Sequence, residues 1–292
     1  MLAITASLVI MSAAQPPPTF QAETRLVVLH ATVKNRRGQL VTNLDRDAFS
    51  VYENGRRQPI ALFRRDDVAV SLGLIIDNSG SMRSLRADVE RAALAFVRAS
   101  NPIDEVFVLN FADKPRIDVP FTRDVHLLEA GIARVDSIGG TAMRDAVLTA
   151  ERYLREHASY DRRVLLVITD GNDNASRASI AQLRKTVEHG ETAIFAVGLF
   201  RAGDSAAGKD RDELDHLTEL TGGAAYYPAS IDRIDEIVLD IARQIRNQYT
   251  IAYTPANQAL DGSYRAIQVR VAGPRAPSVR TRPGYWATPA PF

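Results

Sequence analysis

Five residues of this 292-residue chain carry side-chain oxygens in a pattern that could hold one cation. They lie in three separate segments and are Asp77, Ser79, Ser81, Thr141 and Asp170. The first three alternate along the chain, so in an extended turn their oxygens can face the same point. Three hydroxyls and two carboxylates, with no nitrogen or sulfur, form a set of hard oxygen ligands. Such a set suits Mg²⁺, with Mn²⁺ or Ca²⁺ as alternatives.

The elements before these segments predict that the oxygens meet at one place. Val68–Ile76 and Arg163–Thr169 are almost continuously apolar, as expected for strands that helices cover on both faces. Asp77 and Asp170 follow these strands directly. In an open parallel sheet, ligands bind where the strands deliver their carboxyl ends, so we expect both carboxylates at one edge. Two glycines before Thr141 give it room to point toward the same edge.

From residue 69 to 246, strand and helix patterns alternate. The predicted strands are Val68–Ile76, Glu105–Phe111, Arg163–Thr169, Thr192–Leu199 and Ala224–Tyr227. The predicted helices are Leu85–Ser100, Val125–Val135, Ala142–Glu156, Ile180–Glu188, Asp212–Leu220 and Ile234–Arg246. Parallel neighbours need crossover connections, so this alternation predicts a doubly wound, mostly parallel α/β sheet flanked by helices.

Strand patterns of period two occur on both sides of this region. They include Arg25–Lys34 and Gln58–Arg64 before it, and Tyr249–Tyr253 and Ile267–Val271 after it. Neither flank alone has enough strands to bury its apolar face. We therefore expect residues 24–68 and 247–292 to pair as one small β-sandwich, into which an α/β domain of residues 69–246 is inserted. The single tryptophan, Trp286, is expected to pack onto that sandwich.

The order Asp-x-Ser-x-Ser, Gly-Gly-Thr and Thr-Asp-Gly resembles the metal-ion-dependent adhesion site of von Willebrand factor type A (VWA) domains, including integrin inserted domains. All five positions of that motif are filled here without a substitution. The resemblance implies that Ser79, Ser81 and Thr141 are hydroxyl ligands, and that Asp77 and Asp170 bind directly or through water. The flanks, with Phe-Ser-Val-Tyr-Glu-Asn-Gly and Arg-Pro-Gly-Tyr-Trp, resemble a bacterial exported group called VWFA-related proteins, whose function is largely undefined.

In that family a Glu or Asp of a partner completes the metal's octahedron. The resemblance therefore implies a non-enzymatic module that binds a protein partner through a Mg²⁺-type ion. Two alternatives remain open: a metal-assisted hydrolase, and a scaffold in which the metal only braces the fold. A hydrolase is disfavoured because the motif has no evident general base and no Gly-x-Ser-x-Gly nucleophile elbow.

Composition excludes several other classes of function. The chain has 36 Lys+Arg against 35 Asp+Glu, which gives no bulk reason to expect nucleic acid as a partner. It has no cysteine, which excludes disulfides, thiolate zinc sites and a cysteine nucleophile. Its five histidines are isolated, so a zinc site is not expected.

Residues 1–14 form a short apolar run that ends in small residues, typical of a secretory signal peptide, although the usual positive region before the run is missing. Residues 15–23 include three consecutive prolines and are expected to be an extended linker. We therefore expect a secreted, periplasmic or cell-envelope protein without a membrane span in the mature chain. A membrane anchor or a buried N-terminal segment is the alternative.

Taken one at a time, the site residues have structural interpretations. Asp77, Asp170 or Thr141 could cap helices, and the two serines could form turns. Two nearby aspartates, Asp173 and Asp145, could support the metal ligands from behind. The favoured alternatives are a solvated loop for Asp173 and an ion pair with an arginine for Asp145. Only the ordered combination of the five favours a metal site.

Overall fold

The computed structural model describes residues 25–65, 67–134, 138–200, 207–273 and 277–289. The expected signal peptide and linker lie outside these residues. The strands of the described ranges are, in chain order, β1 (Val27–Lys34), β2 (Phe49–Glu53), β3 (Arg56–Gln58), β4 (Ile60–Arg64), β5 (Ser71–Asp77), β6 (Glu105–Phe111), β7 (Pro115–Thr122), β8 (Arg163–Thr169), β9 (Ala193–Gly198), β10 (Ala225–Tyr226), β11 (Tyr249–Tyr253), β12 (Tyr264–Val271), β13 (Ser278–Arg280) and β14 (Gly284–Trp286). The α-helices are α1 (Arg86–Ala99), α2 (Val125–Ile132), α3 (Met143–His157), α4 (Ile180–His189), α5 (Ala207–Thr221) and α6 (Ile234–Arg246).

The central sheet has the strand order β10-β9-β8-β5-β6-β7, and every pairing except that of β7 is parallel. All seven residues of β5 are buried, because helices cover both faces of the sheet. One face packs against α1, α2 and α6, and the other against α3, α4 and α5. The predicted doubly wound α/β fold is confirmed.

The two flanks pair with each other in two antiparallel sheets. One has the order β13-β1-β11-β4 and the other β14-β12-β2-β3. Side chains from both sheets, including Leu29, Val51, Ile251 and Tyr285, share one apolar core. The antiparallel sheets from the flanks are thus present as the sequence indicated.

A buried carboxylate joins the two flanking sheets. Glu53 of β2 is 4% exposed, and its Oε2 accepts hydrogen bonds from the hydroxyls of Tyr253 at 2.8 Å and Tyr285 at 3.0 Å. Tyr253 belongs to the first sheet and Tyr285 to the second. Burial raises the pKa of both tyrosines, and the hydrogen bonds to Glu53 raise them further, so both hydroxyls remain protonated donors.

Some predicted elements were wrong in detail. The single strand expected over Gln58–Arg64 is two strands, β3 and β4, which Pro59 separates and which belong to different sheets. Proline lacks the N–H that a continuous ladder needs, so the chain changes sheets there. The antiparallel edge strand β7 and the short strands β13 and β14 were not predicted. The helix expected from Leu85 begins at Arg86, after a 3₁₀ turn over Gly80–Leu85.

Trp286 lies on β14, but its ring contacts the central domain as well. It stacks on His189 of α4, with ring centroids 5.5 Å apart and planes 3° apart. Its indole N–H donates to Glu188 at 3.3 Å. The contact with α4 was not predicted, and through it the side chain connects the sandwich to the central domain.

A second contact joins the two units at the base of the central sheet. Gln248, which is 3% exposed, accepts a hydrogen bond from Arg162 at 2.8 Å and donates one to Thr32 of β1 at 3.0 Å. Because these groups are buried, breaking either bond leaves an unsatisfied polar atom.

None of the described helices is long and apolar enough to cross a membrane.

One buried acid makes the stability of the fold depend on pH. Glu151 of α3 is 6% exposed and accepts one hydrogen bond from Thr192, just before β9. Burial raises its pKa from 4.5 to about 7, although that hydrogen bond and the charges of Arg155 and Arg163 oppose the rise. The folded state therefore holds a proton that the unfolded chain releases above about pH 4.5.

We expect the free energy of unfolding to fall as the pH rises from about 4.5 through 7, because the buried carboxylate then ionises. Glu151→Gln keeps a neutral side chain, so at pH 8 it should be more stable than the wild type by about 1–3 kcal/mol. At pH 5 the difference should be small. Urea unfolding at both pH values measures this. The control is Glu156→Gln, an exposed position on the same helix, and an equal effect in both variants would contradict the expectation.

Candidate metal site

The candidate residues lie where the chain reverses its direction of travel across the central sheet. From β5 the chain crosses to β6 on one side, and it later returns to β8 on the other side. Asp77 is the last residue of β5, and Asp170 directly follows β8, its parallel neighbour. This is the position at which open α/β sheets leave a crevice for ligands.

Hydrogen bonds organise the loop after β5 around Asp77. Asp77 and Ser79 are each 1% exposed, and the Ser79 N–H donates to Asp77 Oδ1 at 2.9 Å. The hydroxyls of Ser79 and Ser81 lie 3.0 Å apart. The side chains of Ser79 and Ser81 therefore lie together in the loop that Asp77 begins, although the chain is a 3₁₀ helix from Gly80 and not the extended turn that the sequence suggested.

The loop after β8 joins the same cluster. The Ser81 hydroxyl donates to Asp170 Oδ1 at 3.1 Å. The hydroxyl of Thr169 donates to Asp77 Oδ2 at 2.6 Å and accepts the Gly171 N–H at 3.0 Å. Asp77, Ser79, Ser81 and Asp170 thus form a continuous chain of hydrogen-bonded groups across two adjacent strands.

Thr141 lies on a loop that hydrogen-bonds to both of the others. Gly80 N–H, between the two serines, donates to the carbonyl of Gly139 at 3.2 Å. Thr141 N–H donates to the side chain of Asn174 at 3.0 Å, and the Thr141 carbonyl accepts the Asn174 N–H at 3.0 Å. Thr141 is 2% exposed. The backbone of this third loop is therefore fixed against the loops that carry the other four residues.

Glycine is required at the start of this third loop. Gly139 has φ of +101°, a conformation that other residues rarely adopt. A Cβ there would also collide with the carboxylate of Asp113, which accepts the Gly140 N–H at 2.6 Å. The Gly-Gly pair before Thr141 thus permits a backbone approach that a larger residue would block.

The electrostatics of the cluster favour a cation. Burial raises the pKa of Asp77 from 3.8 to about 6, and the nearby charge of Asp170 adds to that rise. Hydrogen bonds from Thr169 and Ser79 act in the opposite direction. A cation beside Asp77 would offset both its desolvation and its repulsion from Asp170.

The donor set suits a small divalent ion, and the distances among Ser79, Ser81 and Asp170 are close to those that such an ion requires. In octahedral coordination at about 2.0–2.1 Å, neighbouring ligand oxygens are about 2.8–3.0 Å apart. The observed oxygen–oxygen distances are 3.0 Å for Ser79 to Ser81 and 3.1 Å for Ser81 to Asp170. Within the described ranges, no group of three or more His, Cys, Asp or Glu residues could hold a metal ion. The candidate site thus depends on hydroxyl groups, and its role in metal binding stays a prediction.

Two aspartates beside the site differ from what the sequence suggested. The side chain of Asp173 is only 3% exposed, and it accepts the N–H of Arg144 at 2.8 Å and the hydroxyl of Ser176 at 2.7 Å. The expectation of a solvated loop was wrong for this side chain. Asp145 accepts the backbone N–H groups of Arg177 and Ala178, both at 2.9 Å, so backbone donors take the place of the expected arginine partner.

Sequence reasoning missed the residues that position the candidate ligands. Thr169 fixes Asp77, Asn174 fixes Thr141, and Asp113 fixes the backbone at Gly140. Thr169 stands in the Thr-Asp-Gly segment, so its proximity to Asp77 could have been inferred from the adjacency of β5 and β8. Asp113 and Asn174 have no such signal, since their roles depend on how the loops fold together.

Part of the central domain matches a known family model. Residues 72–172 match the family model of the von Willebrand factor type A domain. Among curated proteins, no sequence matches significantly.

Several solved structures are similar in fold. A von Willebrand factor type A protein from Catenulispora acidiphila has 13% identity and a TM-score of 0.53, over 91% of this chain and 75% of that one. Proximal thread matrix protein 1 from the mussel byssus has 16% identity and a TM-score of 0.53, over 66% and 51% of the two chains. The PilB minor pilin from Streptococcus sanguinis has 13% identity and a TM-score of 0.50, over 66% and 64%. At these identities the likeness is one of fold, and the central domain has a VWA-like α/β fold.

Removing the Thr169 hydroxyl should destabilise the site with little change in shape. We expect Thr169→Val to lower the free energy of unfolding by about 1–3 kcal/mol at pH 8, because a buried Asp77 oxygen and the Gly171 N–H both lose a partner. Urea unfolding measures the difference. The control is Thr186→Val, which removes a hydroxyl bonded to a carbonyl within helix α4 and should change stability by no more than about 0.5 kcal/mol. Equal losses in the two variants would exclude the positioning role of Thr169.

Proposed function

We propose that the VWA-like domain binds one divalent cation, of Mg²⁺ type, through Asp77, Ser79, Ser81, Thr141 and Asp170, and that it uses this ion to bind a protein partner. The observation that carries the proposal is the hydrogen-bonded chain from Asp77 to Asp170 at the switch point of the sheet. Mn²⁺ and Ca²⁺ are the alternative ions.

A cation bound there would supply a Lewis-acid position for a carboxylate of the partner, an Asp or Glu side chain. The protein residues divide their tasks by burial. Asp77, Ser79 and Thr141 are buried, so they would form the floor of the site. Ser81 is exposed and Asp170 is half-buried, so the site opens to solvent on their side.

An apolar residue borders the opening. Ile138 is 72% exposed and directly precedes the Gly-Gly-Thr loop. A partner that presents a carboxylate to the metal would cover this side chain and gain from its burial. The burial of Ile138 would thus add an apolar contribution to the affinity, beside that of the metal–carboxylate interaction.

A non-enzymatic role is favoured over metal-assisted hydrolysis. Hydrolysis needs a general base within hydrogen-bond reach of an activated water. Four acidic side chains beside the loops, Asp113, Asp145, Asp173 and Asp210, each accept at least one backbone N–H. These bonds stabilise the loops, and they occupy carboxylate oxygens that a general base would use to accept a proton from water. The names of two similar structures, a minor pilin and a byssal thread matrix protein, support a binding role as well.

We also propose that the chain is exported to the cell envelope or beyond. This rests on the apolar run and small residues of positions 1–14 and on the resemblance of the flanks to exported VWFA-related proteins. Neither observation names the partner.

Metal binding is tested by titrating Mg²⁺ and Mn²⁺ into metal-free protein and measuring the heat of binding and the melting temperature. We expect Asp170→Ala and Ser79→Ala to weaken ion binding at least about 10-fold, because each removes a ligand oxygen. The matched control, Asp232→Ala, removes an exposed carboxylate outside the site and should bind the ion like the wild type. Equal binding by all variants would exclude this site.

Partner binding is tested by capture from cell-envelope extract on immobilised wild-type protein. We expect bound proteins to be released by EDTA and to return with Mg²⁺, and we expect no capture by Asp77→Ala. A melting shift with Mg²⁺ but no EDTA-sensitive capture would favour a bracing metal. Ester or phosphoester turnover that is lost in Asp170→Ala would favour a hydrolase.

A further inference from the structure

A cleft lies at the end of the central sheet opposite the candidate metal site. It is enclosed between the start of strands β8 and β9 and the outer face of the sheet formed by β1, β11 and β4. Its volume is about 580 Å³, within the range of pockets that hold small organic ligands, about 300–1,000 Å³. The two ends of the central sheet are about 20 Å apart along β5, given about 3.3 Å per residue.

Several apolar side chains of the sandwich line the cleft. Leu26, just before β1, and Val28, on β1, are 49% and 45% exposed, although both are large hydrophobic residues. Leu62 and Ala252 extend this surface across β4 and β11. Alternate residues such as Val27 and Leu29 face the sandwich core, so the outward apolar residues are additional to those that stabilise the fold.

The cleft as a whole carries an excess of positive charge. Four arginines line it, against the two acidic residues Asp161 and Glu191. Arg162 and Arg163 lie at the start of β8, Arg64 lies on β4, and Arg282 lies between β13 and β14. Two of these arginines already donate hydrogen bonds within the protein. Arg162 donates to Gln248 and to the carbonyl of Ile245, and Arg282 donates to the carbonyl of Gly284.

Two of the arginines in the cleft are poorly solvated. Burial lowers the pKa of Arg162 to about 10 and also lowers the pKa of Arg282. The Nε groups of Arg162 and Arg163 are buried and have no hydrogen-bond partner among the described residues. Buried cations without full compensation are costly, and an anion nearby would offset that cost.

We propose that this cleft binds a small amphiphilic organic anion, with an apolar body against Leu26, Val28 and Leu62 and a carboxylate facing the arginines. Apolar side chains of the sandwich and the arginines line one space of suitable size, which is the arrangement that such a molecule requires. Arg163 lines the cleft at the start of β8 and is only half-buried, so its guanidinium is the group that we expect to face the carboxylate. The cleft is separate from the candidate metal site, and its ligand binds with or without a divalent ion.

The experiment uses the full chain and decanoate as the probe, with binding measured by titration calorimetry. Decyltrimethylammonium has the same tail and the opposite charge, and acetate has the same carboxylate without the tail. We expect decanoate to bind with one-to-one stoichiometry, and the other two probes to bind at least about 10-fold more weakly, since each lacks one of the two interactions. The binding should be unchanged by EDTA.

Two variants test the two interactions, one with the arginines and one with the apolar side chains of the cleft. Arg163→Gln should weaken decanoate binding about 10-fold, the usual loss for a hydrogen bond to a charged group. Val28→Trp, on an exposed strand position that tolerates aromatic residues, should fill the cleft and abolish binding. Arg36→Gln, in an exposed turn outside the cleft, is the control and should bind like the wild type. Circular dichroism and the melting temperature show whether each variant is folded.

Three results would overturn the proposal. The first is that decanoate does not bind to folded wild-type protein. The second is equal binding of decanoate and decyltrimethylammonium, which would mean that the cleft selects only for apolar surface. The third is that folded Arg163→Gln and Val28→Trp both bind decanoate as the wild type does.

Discussion

The parallel pairing of β5 with β8 is the constraint on which the rest of the candidate site depends. Its register sets Ile76 opposite Ile168, so that the next residues of the two strands, Asp77 and Thr169, leave the sheet side by side. The 2.6 Å hydrogen bond between their side chains follows from that register. A shift of one residue in either strand would turn one of these side chains to the other face of the sheet. The apolar packing on both faces prevents such a shift.

Much of the central domain could be predicted from sequence because its signals are local. Arg163–Thr169 and Ile234–Arg246 have the predicted bounds, since a continuously apolar strand and an amphipathic helix show their periodicity without knowledge of their neighbours. The convergence of Asp77 and Asp170 could also be inferred, because carboxyl ends of adjacent parallel strands share an edge. The sequence thus predicts the sheet edge at which the site lies and the side chains that form it. The ion and the partner are proposals.

The features that were missed depend on contacts between distant segments. β7 contains Pro115 and Pro120 and alternates poorly, yet it forms an edge strand because β6 supplies the other half of its ladder. Asp173 is buried by Arg144 and Ser176, which lie on different elements. Asn174 and Asp113 hold the third loop through bonds to backbone N–H groups, which no side-chain pattern in the sequence reveals.

The way in which the central domain leaves the sandwich has a mechanical consequence. The chain enters the domain from β4 and returns through β11, and these two strands are antiparallel neighbours, with Arg64 paired to Thr250 at the end nearest the domain. A tensile load applied at the far edge of the central sheet would therefore pull both strands in the same direction, so that neither is peeled from the other. Because β1 also pairs along β11, the load would pass in shear into several ladder hydrogen bonds at once.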